Sequence, residues 1–189
     1  MTTSGRHRGI DGKSGEFFKY ARRSGLWPEA EAVHRSAVTK AREKVPWETL
    51  QDILAKAVRL AYQRWPESPD STWRGKTVIA FDGSKYTLPA TRPLRDTFDP
   101  DSGLDFPGKG HYPQCLVSTA YDVFRRLPLA RTVVPVQQGN ERDEAKALLP
   151  RIPTGGILLF DRGYPSFDLI KTLDHEYDGF YVFRCPAQS

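Results

Sequence analysis

The sequence predicts an α/β fold, a mixed sheet with interleaved helices behind a helical N-terminal region. Two stretches with the same grammar, and the order of elements after residue 75, predict it. In KTVIAFDGSKYTLP, Lys76 to Pro89, an apolar run from Val78 to Phe81 drives into an acid, Asp82, followed by Gly83 and Ser84. GGILLFDRGYPS, Gly155 to Ser166, repeats the pattern: Ile157 to Phe160 end in Asp161, and Arg162, Gly163, Tyr164 and Pro165 cannot continue a strand. Side by side and parallel, two such strands bring both carboxylates out at one sheet edge. Carboxylates so placed repel unless a cation lies between them, and their oxygens suit a hard divalent metal. Asp before Gly is also a common opener of an Asx or type I turn, so the Asp82 stretch alone leaves both readings open.

Residues 1–15 are polar and Gly-rich, which predicts a flexible terminus and no signal peptide. A short helix is expected from about Glu16, carrying Phe17, Phe18 and Tyr20, and stopped by Gly25 and Pro28. A second is expected from Glu29 or Ala30 to Lys44. In the third, after Pro46, Trp47, Leu50, Ile53, Leu54, Ala57, Val58, Ala61, Tyr62 and Trp65 recur every three or four residues, which predicts one buried face. Residues 16–65 thus form a basic helical region, able to contact DNA or to serve as a lid. PESPDSTWRG, 66–75, reads as a linker into a domain spanning 76–189.

Within that domain, four prolines between Leu88 and Pro107 exclude a central strand, and Asp96, Asp99, Asp101 and Asp105 read as a solvated surface loop. Lys109, Gly110 and His111 make a small basic spot, suited to a phosphate or to plain surface. Gln114 to Phe124 and Pro128 to Gln137 read as an antiparallel hairpin. Glu141 to Leu149 reads as a helix capped by Asn140, with acids suited to its dipole. After the Asp161 strand come a helix from Pro165 or Ser166 and a last strand, Gly179 to Arg184. Three strands, then helix, strand, helix, strand, is the order of the ribonuclease H-like fold. There the first strand is central and the fourth lies parallel beside it.

The 189 residues suffice for one core and a small appendage. Charged residues make up 27%, no apolar run approaches a membrane span, and a cytoplasmic protein is expected. The net charge of +5 is uneven: residues 1–65 carry 13 Lys or Arg against 7 Asp or Glu. That bias favours a polyanion partner. Cys115 and Cys185 lack metal-ligand spacing and read as buried, reduced thiols, and four scattered histidines do not support zinc.

IAFDGSKYTLP and LLFDRGYPS, with HRSAVTKAREKV ahead of them, resemble the DDE transposases of the insertion-sequence-4 family. The resemblance runs from about His34 to the C-terminus. It implies metal-dependent cleavage and strand transfer at DNA phosphodiesters, with Asp82 and Asp161 as catalytic ligands of Mg²⁺ or Mn²⁺. It implies inverted-repeat DNA ends as the partner, and homodimers. Lys85, Lys109, Arg162 and Tyr164 are the candidate DNA contacts, although Arg162 could equally pair with Asp96 or another surface acid. In the family the third acid is a glutamate within a Tyr-Arg-Glu-Lys signature on a helix after the last strand. That signature is absent here, and Glu176 precedes the final strand and does not replace it. The expectation is therefore a C-terminally truncated transposase, inactive by itself. The alternative is a non-catalytic DNA-binding remnant that interferes with a full-length transposase.

Overall fold

The computed structural model describes residues 10–99 and 112–185. The chain divides into two compact units, Met1–Leu50 and Gln51–Ser189.

In the first unit, helix α1 (Ile10–Arg23) ends at Gly25, whose φ of 70° lets Trp27 N–H reach back to the Ala21 carbonyl at 3.0 Å. Phe18, Ala21 and Ala30 form a small buried cluster. Helix α2 (Arg35–Glu43) starts later than its composition predicts, because His34 caps it by accepting from Ser36 N–H. Helix α3 (Trp47–Arg64) runs on into the second unit. Its apolar stripe is only partly covered. Val58, Ala61 and Tyr62 are buried or half-buried, whereas Trp47 (61% exposed), Leu50, Ile53 and Trp65 face solvent. Helical periodicity reports a shared face, not what covers it.

The second unit is built on a five-stranded sheet of order β3-β2-β1-β4-β5. Its strands are β1 (Val78–Thr87), β2 (Gln114–Asp122), β3 (Leu127–Pro135), β4 (Ile157–Phe160) and β5 (Phe180–Phe183). The first three pair antiparallel, while β4 lies parallel to β1 and β5 parallel to β4. This is the ribonuclease H-like arrangement, with the first strand central. Helices α5 (Glu141–Leu148) and α6 (Phe167–Glu176) follow β3 and β4. The run of prolines after β1 is not all loop. Helix α4 (Arg92–Phe98) forms there because Pro93 stands in its first turn, where no backbone donor is needed.

The core lies on one face of the sheet. Ile79 and Phe81, Leu158 and Phe160, and Ala120 alternate inward against Ala145, Leu148, Leu169 and Leu173 of the helices. Val133 and Val182, of opposite parity, are more than half exposed. Cys115 is buried as expected; Cys185 lies just beyond β5 and is exposed, because the strand stops at Phe183. Among the described residues no helix is long and apolar enough to cross a membrane.

One buried polar cluster had no counterpart in the sequence reading. Asp122 accepts from Tyr62 Oη at 2.8 Å, Arg125 N–H at 2.9 Å and Arg125 Nη1 at 3.0 Å. Arg125 also donates to the carbonyls of Trp65 and Ser71 and lies over the Tyr62 ring. The end of α3, the following turn and the β2–β3 hairpin are thereby joined.

Candidate functional site

Asp82 and Asp161 are brought to corresponding places on neighbouring strands. The parallel pairing runs Val78 with Ile157, Ile79 with Leu158 and Ala80 with Leu159. One step on, the Phe81 and Phe160 rings stack with centroids 4.8 Å apart, and the next residue on each chain is the acid. Adjacent strands are spaced at about 4.8 Å. Both aspartates are exposed. Asp161 leaves the sheet at once, its Oδ1 accepting from Arg162 N–H at 2.6 Å, and Arg184 Nη1 lies 3.7 Å away. Asp82, expected at a strand end, stands inside β1. Antiparallel pairing with β2 carries the strand on to Thr87, with Asp82 opposite Thr119, so Gly83 and Ser84 do not form a turn. Ser84 Oγ donates weakly to Asp82 Oδ2 at 3.4 Å.

The opposing side chains of β2 and β3 extend the surface around Asp82. With Ser84, Tyr86, Val117, Thr119, Arg131 and Val133 it lines an open groove of about 390 Å³. Of the candidate DNA contacts, Lys85 and Arg162 are exposed. Lys109 lies outside the described residues, as do Asp101 and Asp105. Tyr164 is not on the surface. It is 2% exposed, and its ring packs on Phe160 at 5.4 Å, because a large aromatic ring next to a strand end gains more from the core than from water.

A model of the transposase DDE domain family matches residues 73–189. The chain belongs to this family. It is 27% identical over 143 residues to the Escherichia coli (strain K12) protein named "Putative transposase InsZ", an alignment covering 75% of this chain and 46% of that protein. The chain thus spans a little under half the length of this curated relative. The solved structure titled "Mos1 transposase paired-end complex with left transposon end" aligns with 96% of this chain and 60% of its own, at 10% identity and a TM-score of 0.36. Family membership rests on the first of these matches, and the fold on the strand order described above.

In this DDE domain the start of α5 is fixed against the site, a feature the sequence reading did not assign to it. Asn140 caps the helix, accepting from Arg142 and Asp143 N–H, and Arg142 donates twice to the Gly163 carbonyl, at 3.2 and 3.0 Å. Glu141 then lies on Gly83: a Cβ there would stand 2.6 to 2.8 Å from its side-chain atoms. The Tyr164 hydroxyl is buried without a hydrogen-bond partner. Burial chiefly raises its pKa, and the negative charges of Glu141, Asp82 and Asp161 push it the same way. Further along α5, the hydrogen bond from Lys146 chiefly holds the Asp143 carboxyl below its usual range. The signal for Glu141 was present as an acid at the first position of a capped helix, but such acids commonly serve the helix dipole.

Exposed carboxylates with hydroxyl oxygens beside them are a donor set suited to Mg²⁺ or Mn²⁺. Among the described residues, no three His, Cys, Asp or Glu side chains already converge closely enough to hold an ion.

Proposed function

We propose that this chain carries the core of a DNA transposase of the insertion-sequence-4 type. Its two strand-borne acids, Asp82 and Asp161, would hold a divalent cation at a DNA phosphodiester. The observation that supports this is that each acid stands two residues beyond the parallel in-register pair Ala80 and Leu159, within a DDE family domain. A bound Mg²⁺ or Mn²⁺ would supply Lewis-acid activation of water or a DNA 3′-OH, and stabilisation of the leaving oxygen. The chain's own part is to set the carboxylates side by side and to bring DNA to them. Lys85 and Arg162, both exposed, the basic helices of residues 16–65, and Lys109 are the proposed phosphate contacts. Inverted-repeat ends and a homodimer are the proposed partner and assembly.

The glutamate of the Tyr-Arg-Glu-Lys signature is not among these 189 residues. We infer that the polypeptide alone binds metal weakly and does not perform strand transfer. Mn²⁺ titration by calorimetry tests the site: Asp82→Asn and Asp161→Asn should each lower affinity about tenfold or more. Unchanged binding in both would overturn the reading. Mn²⁺-dependent nicking of inverted-repeat DNA by the purified chain, lost in Asp82→Ala, would overturn the inference of inactivity. The excess of basic residues in 1–65 favours one second reading, a DNA-binding remnant. A salt-dependent DNA shift indifferent to Asp82→Ala would favour it.

A further inference from the structure

We propose that Glu141, the first residue of α5, is a third cation-holding carboxylate of this site, reaching it over Gly83. The proposal rests on the reading of Asp82 and Asp161 as metal ligands. It concerns one ion held by three acids, and leaves the second ion of strand transfer without its glutamate.

Three observations locate Glu141. Its Cγ, Cδ and Oε1 occupy the space that any side chain at residue 83 would fill, so it lies against the residue next to Asp82. Arg142, the next residue, is tied by two hydrogen bonds to the Gly163 carbonyl in the loop after Asp161. The Tyr164 hydroxyl, from the same loop, is buried with no partner, and the carboxylates acting on it are those of Glu141, Asp82 and Asp161. A hydroxyl in that position can accept a hydrogen bond from the water shell of a cation.

The charge balance points the same way. Glu141 at the start of α5, Asp82 within β1 and Asp161 in the loop after β4 bring three acids to this region, where Arg142 is engaged with Gly163, Lys146 with Asp143 and Asp168, and Arg184 stands only in loose, exposed contact with Asp161 at 3.7 Å. Glu141 forms no ion pair among the described residues. A divalent ion would relieve the mutual repulsion. The acids do not yet converge on one point, so binding requires the long Glu141 side chain to change rotamer. If Glu141 served only the helix dipole, it would be interchangeable with Glu144, also in the first turn.

The test is titration of the whole 189-residue chain with Tb³⁺, an oxygen-seeking ion excited through nearby tyrosine, with Mn²⁺ calorimetry alongside. Glu141→Gln should weaken both by about tenfold or more, with the thermal unfolding curve unchanged. Glu144→Gln should leave affinity within about twofold. Tyr164→Phe should cut sensitised emission. If Asp82→Asn and Asp161→Asn weaken binding but Glu141→Gln does not, this proposal fails and the two-acid site stands. If none of the three weakens binding, both fail. Equal losses in Glu141→Gln and Glu144→Gln would reduce the effect to general charge and overturn the proposal, as would a loss in Glu141→Gln with none in Asp82→Asn or Asp161→Asn.

Discussion

Two aspartates in this domain follow strand residues and face an arginine, yet their surroundings are opposite. Asp122 and Arg125 are 0% and 2% exposed, meet at 3.0 Å, and are joined by Tyr62. Asp161 and Arg184 are 59% and 77% exposed and stand 3.7 Å apart. A buried carboxylate persists only if its lone pairs are satisfied, so Asp122 is a fixed joint. An exposed one in loose contact can exchange its partner, so Asp161 remains available to a ligand. Satisfaction by neighbours, rather than the presence of an acid at a strand end, separates structure from site.

The largest expected effect would break that comparison outright. Asp122→Ala leaves a buried guanidinium uncompensated and should cost roughly 3–5 kcal/mol in urea unfolding. Asp161→Ala and Asp82→Ala should each change stability by less than about 1 kcal/mol. Similar losses at all three positions would mean that the site acids are structural too.

The sequence does not separate those two classes of acid, since the partners of Asp122 are remote. Gln114 to Phe124 reads as a strand passing through Asp122, with nothing to mark that acid, because Tyr62, Trp65 and Ser71, which engage it and Arg125, come from more than 50 residues upstream. Elements coded by their own termini were legible. Helix α5 was placed from its Asn140 cap, the hairpin from its β-branched runs, and β4 from the glycines before it and Arg-Gly after it. The extension of β1 beyond Asp82 was not, since the β2 ladder, rather than local propensity, holds Gly83 and Ser84 extended. Tyr164 was misplaced for a related reason: a tyrosine close to a candidate ligand acid reads as a surface contact until its packing on Phe160 is seen.

Tyr62 sharpens the comparison at an intermediate scale. Tyr62→Phe removes one donor to a buried carboxylate and should cost about 1–3 kcal/mol at neutral pH. Burial chiefly, then the hydrogen bond to Asp122, raises the Tyr62 pKa above its ordinary value of 10.0. The folded state then holds a proton that the unfolded state releases. This contribution is complete below pH 10 and is lost as pH rises toward the higher folded value. Urea midpoints measured from pH 8 to 11 should fall, and fall less steeply in Tyr62→Phe. The slope should not vanish, because Tyr164 and Tyr177 are raised as well. An identical slope in the variant would show that Tyr62 does not titrate as part of the joint.

The smallest stability change belongs to Gly83→Ala, and it distinguishes site from joint most sharply. The atoms an alanine Cβ would meet are the far end of the Glu141 side chain, which can rotate away without moving α5. Replacing a strand glycine also removes freedom from the unfolded chain, so the net change should stay within about 1 kcal/mol. Every acid of the site is retained. If Glu141 must lie over residue 83 to reach a cation, Tb³⁺ and Mn²⁺ affinity should nevertheless fall toward that of Glu141→Gln. Affinity equal to that of the unsubstituted chain would show that Glu141 reaches the ion by another path or not at all. A stability loss of several kcal/mol would instead make this contact part of the core, as Asp122 is.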